Sequence, residues 1–293
     1  MSEKSRVGEL RPSQILYSFG VGAVVDLPNM SVIVMGLDDW ETQHATPLGE
    51  ERLLAAVRKE LGMQVTQLRQ APISPITEGI GSAFDDEAKI GIPVAPFPGW
   101  VLCPYCRLLA PLRPEAFKLK TDLYRPEQTR YEHICCQRPK PPTVIPARFL
   151  VACNNGHLDD FPWIYFLHKG NTECKGPLRL QEFGVSGTAA DVWIKCDSCN
   201  TYRSMSEAFG EPGKKSMPRC RGRHPHLRKF DDEACQQQMQ GILLGASNSW
   251  FPVALSALSI PRSSNKLAQL VDKNWMALQN APNFQTFQAI YQA

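Results

Sequence analysis

Nothing in these 293 residues approaches the run of about 20 apolar residues that a membrane-spanning helix needs. The first residues, Met1 to Arg6, are charged and lead into no apolar core of signal-peptide length, so the expected compartment is the cytosol. There is no G-x-x-x-x-G-K-[ST], which excludes ATP binding through a P-loop, and no G-x-S-x-G elbow for a serine nucleophile. Gly20-Val21-Gly22 lacks the third glycine and following helix of a dinucleotide site. Neither the H-E-x-x-H of metalloproteases nor the H-x-E with P-C-x-x-C of nucleotide deaminases occurs. Net charge is also scarce, at +3 with every cysteine counted as neutral, so any argument about partners rests on local patches.

What is present reads as globular. An apolar fraction of 43% with 21% charged residues can bury a core, while 24 prolines impose irregular connections. The expected fold class is α+β, with short strands and helices joined by long loops and stapled by two to three structural zinc sites. Residues 1–99 read as an N-terminal α/β unit ending in a Pro/Gly-rich connection over 71–99, 100–240 as a zinc-binding region, and 241–293 as an apolar and helical segment that starts a further domain. Pro12-Ser13 can open a short helix to Phe19, which Gly20 and Gly22 break. Ala23-Val24-Val25 and Ser31 to Met35 read as strands separated by the turn cluster Asp26 to Asn29. Leu53, Leu54, Val57 and Leu61 share one face of a helix between Glu50 and Gly62. Gln240 to Ser259 fits helix or strand equally. Leu267, Leu270, Val271, Trp275 and Leu278 outline an amphipathic helix, and Phe284, Phe287, Ile290 and Tyr291 a second, in which the chain stops without a cap; these aromatic helices are the expected docking face.

All ten cysteines lie between Cys103 and Cys235, and in a reducing compartment such a cluster binds metal more often than it forms disulfides. Cys103-Pro-Tyr-Cys106 and Cys196-Asp-Ser-Cys199 have the C-x2-C spacing that wraps a tight turn round a zinc ion. Three apolar runs, Trp100 to Leu102, Phe149 to Ala152 and Val192 to Ile194, each end at or beside a cysteine, as strands delivering ligands would. The expected sets are Cys196, Cys199, Cys220 and Cys235; Cys103 and Cys106 with Cys135 and Cys136, either of which His133 could replace; and Cys153, His157, His168 and Cys174. The alternative for a single cysteine such as Cys153 or Cys174 is a small buried apolar side chain. Asp159 and Asp160 beside His157 offer carboxylates, which keeps open a zinc-dependent nuclease or nucleotide hydrolase.

Between Lys214 and Lys229 there is no acid. Lys214, Lys215, Arg219, Arg221, Arg223, Arg228 and Lys229 bracket Cys220, a pattern suited to phosphate backbone, but aromatics for base stacking are sparse there. The alternative is a solvated loop.

Several stretches resemble one family. Arg11-Pro-Ser-Gln-Ile-Leu-Tyr-Ser-Phe-Gly-Val-Gly-Ala-Val-Val-Asp-Leu-Pro28, Val34-Met-Gly-Leu-Asp-Asp-Trp40 and Arg148-Phe-Leu-Val-Ala-Cys-Asn-Asn-Gly-His-Leu-Asp-Asp-Phe-Pro-Trp163 are similar to the DrmB component of the bacterial DISARM anti-phage systems. Cys196 to Cys199 with Cys220-Arg-Gly-Arg-His-Pro225 extends the likeness. The resemblance implies a non-catalytic, helicase-associated subunit that pairs with the helicase DrmA to engage DNA, with the cysteine and histidine positions as metal ligands. Members of the family are longer, with a further C-terminal domain, which is expected here on a separate chain or not at all.

Overall fold

The computed structural model describes residues 5–74, 82, 84–184, 188–247, 249–258, 270–280, 283, 285 and 288. They divide into two units, Met1–Leu48 with Arg69–Ala254, and Gly49–Leu68 with Leu255–Ala293. The structure is mixed α/β, with short strands and few helices. No helix of the described residues is long and apolar enough to cross a membrane.

The larger unit opens with α1 (Pro12–Tyr17), where proline takes a position whose N–H has no helical partner and Gln14 Oε1 accepts the Arg11 N–H at 2.9 Å. Gly22, at φ +82°, turns the chain into β1 (Val24–Leu27), which hairpins to β2 (Met30–Val34). The turn is tighter than the sequence suggests: Asp26 joins the ladder opposite Ser31, whose hydroxyl donates to its carboxylate. Two-residue strands β3 (Pro47–Leu48) and β4 (Leu68–Arg69) follow, on either side of helix α2 (Glu51–Leu61). The stretch 71–99 is not only a connection, since β5 (Val94–Pro96) pairs with β2 and makes it a central strand buried at every position. A strand containing proline is tolerated there because it lies at the sheet edge.

The chain then runs through β6 (Trp100–Leu102), β7 (Leu108–Pro111), β8 (Phe117–Lys120), β9 (Arg130–His133), β10 (Ile145–Pro146), β11 (Phe149–Ala152), β12 (Leu158–Asp160) and α3 (Trp163–His168). It continues with β13 (Leu178–Glu182), β14 (Val192–Cys196), β15 (Tyr202–Ser204), α4 (Gly210–Ser216), β16 (Arg223–His224), β17 (Lys229–Phe230) and β18 (Gln240–Leu243). Six strands form an antiparallel sheet in the order β10-β6-β7-β13-β14-β15, and β12-β11-β18 form another. Phe149, Phe161, Trp163, Phe166, Leu180 and Ile194 are fully buried in the main core, which also takes in Cys153, Cys196, Cys220 and Cys235. Six residues are too few for a helix to stand alone; α3 persists because Trp163, Phe166 and Leu167 are buried.

In the smaller unit, α2 follows the expected bounds and stops at Gly62 (φ +90°), whose N–H donates to Arg58 O at 2.8 Å. The expected single amphipathic helix near the C-terminus is interrupted at Asn274, whose side-chain amide donates to Leu270 O at 2.8 Å, and α5 (Trp275–Gln279) follows. Leu267, Phe284, Phe287, Ile290 and Tyr291 lie outside the described residues. Of the ambiguous stretch after Gln240, Gln240–Leu243 is strand and Phe251 to Leu258 has no regular structure.

Candidate metal centres

Three strands deliver a cysteine, as the apolar runs suggested: β6 leads into Cys103, β11 into Cys153, and β14 ends on Cys196. A tight turn follows each, one residue shorter after Cys153 than after Cys103 and Cys196. The N–H groups of Arg107, Gly156 and Asn200 donate to the carbonyls of Cys103, Cys153 and Cys196 at 2.9, 3.0 and 3.0 Å. In return Cys103, Cys153 and Cys196 donate to the carbonyls of Leu108, His157 and Thr201 at 2.9, 3.1 and 2.9 Å. Each turn closes on a left-handed residue, Arg107 (φ 62°), Gly156 (φ 84°) or Asn200 (φ 59°). Glycine and asparagine take that conformation readily, whereas Arg107 is secured by Nε–H donation to Leu180 O at 2.7 Å.

Around these turns gather three groups of four donors, each group with all donor atoms within 4.8 Å of one another: Cys103, Cys106, His133 and Cys136; Cys153, His157, Cys220 and Cys235; and His168, Cys174, Cys196 and Cys199. All ten cysteines are free thiols. Within the groups Cys174 Sγ lies 3.5 Å from Cys196 Sγ, His157 Nδ1 lies 3.3 Å from both Cys153 and Cys220 Sγ, His168 Nε2 is 3.4 Å from Cys199 Sγ, and His133 Nδ1 is 3.6 Å from Cys106 Sγ. With metal–sulfur bonds of about 2.3 Å, a tetrahedron has edges of about 3.6–3.8 Å, so the spacing suits a central ion and is far too long for a disulfide. Three groups are thus positioned to hold a metal ion, with a three-thiol, one-imidazole donor set compatible with zinc.

The partners of the histidines fit that role. His157 turns Nδ1 to the thiols and lies with Nε2 2.7 Å from Asp231 Oδ2, while His168 turns Nε2 to Cys199 and donates Nδ1–H to Ile164 O at 2.9 Å. Asp231 also meets His224 Nε2 at 2.8 Å, an arrangement that holds its carboxyl below the usual carboxylate range. The thiols themselves oppose joint ionisation. Burial, then the thiols of Cys153 and Cys235, push Cys220 up to about 12; burial and the charges of Cys103 and Cys106 raise Cys136 to about 11. Cys199, hydrogen-bonded to Thr201 and then His168, is lowered to about 6. A cation bound among the three thiols of a group would favour the thiolate form of all three.

The grouping differs from the one expected along the chain. Cys196 and Cys199 do not meet Cys220 and Cys235, and Cys153 and His157 do not meet His168 and Cys174; the two sets exchange halves. Strand pairing is the reason. β18 lies beside β11 with Gln240 opposite Ala152, and Cys220 N–H donates to Gln237 O at 3.0 Å, so Cys220 and Cys235 arrive at Cys153. β13 lies beside β14 with Leu178 opposite Cys196, which brings Cys174 to the other knuckle. In the first group His133 joins, and Cys135 falls outside with its Sγ 3.0 Å from His133 Nε2. The signal was in the spacing: His133-x2-Cys136 repeats the knuckle interval that adjacent cysteines lack. Asp231 and His224 carry no local motif, and sequence reasoning missed them.

The basic residues prove largely committed. Arg221 donates to Asp159 Oδ2 at 2.6 and 3.0 Å, Arg223 donates to Asp160 Oδ2 at 2.8 Å and pairs with Asp159 Oδ1 at 2.5 Å, Arg228 pairs with Asp39 at 2.7 Å, and Lys214 with Glu211 at 2.9 Å. Lys215, Arg219 and Lys229 are exposed and pair with no carboxylate among the described residues. Asp159 is buried, and Asp160 also accepts the Gly99 N–H at 2.7 Å. Both carboxylates beside His157 are therefore occupied by structural partners.

Residues 11–251 match the family described as a domain of unknown function, DUF8724, and the chain belongs to it. Among curated proteins it is similar to DISARM protein DrmB of Bacillus paralicheniformis, at 24% identity over 272 residues, 86% of this chain and 43% of that protein. The chain thus spans less than half the length of that relative.

Proposed function

We propose that the chain is a zinc-stabilised, non-catalytic accessory subunit of a cytoplasmic DISARM-type anti-phage complex, docking on the helicase DrmA and helping to hold DNA. The similarity to a protein named for DISARM carries the defence role. Support for structural rather than catalytic zinc comes from donor sets of four, which leave no open position for substrate. The carboxylates that the nuclease or hydrolase alternative takes as its general base, Asp159 and Asp160, are both held by arginines.

DNA binding through the loop around Cys220 rests on Lys215, Arg219 and Lys229, the members of the basic run without an acid partner among the described residues. Replacing all three with alanine in the complex with its helicase is expected to weaken DNA binding and flatten its salt dependence by up to about 3 units of log–log slope, about 0.9 for each phosphate no longer neutralised. Filter binding across a salt series measures both. Unchanged affinity and slope would show these side chains to be solvated only, and failure of the helicase to co-elute at micromolar concentration would remove the partner from the reading.

A further inference from the structure

The first and third metal centres share a strand. Leu178 on β13 lies opposite Leu109 of β7 and opposite Cys196 of β14, so β13 runs between the two knuckle hairpins. Its next residue, Arg179, reaches both. Nη1–H donates to the carbonyl of Cys106 at 2.7 Å, and Nε–H donates to Asp197 Oδ2, also at 2.7 Å. Cys106 is a donor of the first centre, and Asp197 sits inside the third knuckle between Cys196 and Cys199.

The neighbouring hydrogen bonds leave little slack. Asp197 N–H donates to Pro177 O at 2.9 Å, one residue before β13. A Cβ on Gly176 would stand 2.7 Å from Cys196 Sγ, so only glycine lets the chain pass the third centre at this distance. At the first knuckle, Leu180 N–H donates to Arg107 O at 3.0 Å while Arg107 Nε–H donates to Leu180 O at 2.7 Å. Cys174, four residues before Leu178, is itself a donor of the third centre. Closing the third donor set thus fixes the chain on the N-terminal side of Arg179, Leu180 on its other side is tied to Arg107 of the first knuckle, and Arg179 itself holds the carbonyl of a donor in the first.

We propose that Arg179 is a positioning residue that couples the two centres, so that metal in the third raises the affinity of the first. The inference rests on the metal-binding reading of both donor sets. A planar guanidinium can serve a carbonyl and a carboxylate at once in fixed geometry, which a lysine ammonium cannot reproduce. Outer partners of metal ligands change affinity by roughly 10–100-fold when removed, and coupling between two sites is reciprocal.

The test is a Co²⁺ titration of the full chain against a competing chelator, read by the thiolate–cobalt absorption bands, with Cys106→Ser identifying the signal of the first centre. Breaking the third centre with Cys199→Ser is expected to lower first-centre affinity by about tenfold in the parent. In Arg179→Ala the same substitution is expected to cause no further loss. Asp197→Asn, which weakens the bridge without touching a donor or the Cys106 carbonyl, is expected to reduce the coupling too, and so separates the effect from any folding defect of Arg179→Ala. First-centre affinity that falls equally on Cys199→Ser with and without Arg179, or does not fall at all, overturns the coupling while leaving the metal reading intact. Absence of cobalt binding in the parent overturns both.

Discussion

Cys220→Ser is expected to leave the chain without a cooperative unfolding transition, whereas Cys199→Ser keeps one at reduced temperature. All four residues of the second centre, Cys153, His157, Cys220 and Cys235, are buried, and the three thiols belong to the main apolar core. A serine hydroxyl does not ionise to replace a thiolate ligand and leaves a polar group in this buried core. Structural zinc in small domains contributes about 10–16 kcal/mol of binding free energy to folding, comparable with the whole of the roughly 5–15 kcal/mol by which domains are stable. The third centre is half open to solvent, with Cys199 and His168 at its rim, so its loss frays a surface. Thermal unfolding followed by circular dichroism in zinc-containing buffer distinguishes the two variants. A sharp transition in Cys220→Ser at the parental temperature would mean that the core holds without the second centre.

Asp159→Ala is expected to cost about 3–5 kcal/mol of stability, the usual loss when a buried ion pair is broken from one side. Asp159 is only 3% exposed and receives both Arg221 and Arg223; without it, half-buried Arg223 keeps Asp160 alone. The loss is expected to lower the unfolding temperature by roughly 6–20 °C for a chain of this size. Arg221, mostly exposed, contributes less, and Arg221→Ala is expected to cost about 1 kcal/mol or below. Full stability in Asp159→Ala would free this carboxylate for another task and reopen the hydrolase alternative.

The strands that carry the centres were legible because they are short apolar runs with a cysteine at or beside the end; Trp100 to Leu102, Phe149 to Ala152 and Val192 to Ile194 are strands as read, the last running on to Cys196. The partition of donors was not. Chain order places Cys153 and His157 next to His168 and Cys174, but antiparallel pairing of β11 with β18 and of β13 with β14 decides which donors meet, and pairing is a long-range property. The basic run misled for a similar reason. No acid lies between Lys214 and Lys229, yet Asp39, Asp159 and Asp160 are brought in from distant segments to neutralise Arg221, Arg223 and Arg228. Val94 to Pro96 was hidden by the prolines and glycines around it, and an edge position is what allows it to be a strand.

The most direct measurement is the zinc content of the purified chain by elemental analysis, in the parent and in two variants of the adjacent cysteines. Three zinc ions per chain are expected, one for each group of three thiols and an imidazole. Three are expected to remain in Cys135→Ser, whose thiol lies outside the first group against His133, and two in Cys136→Ser. Fewer than one zinc per parent chain would contradict the metal scaffold, and loss of an ion from Cys135→Ser with none lost from Cys136→Ser would contradict the assignment of its first centre.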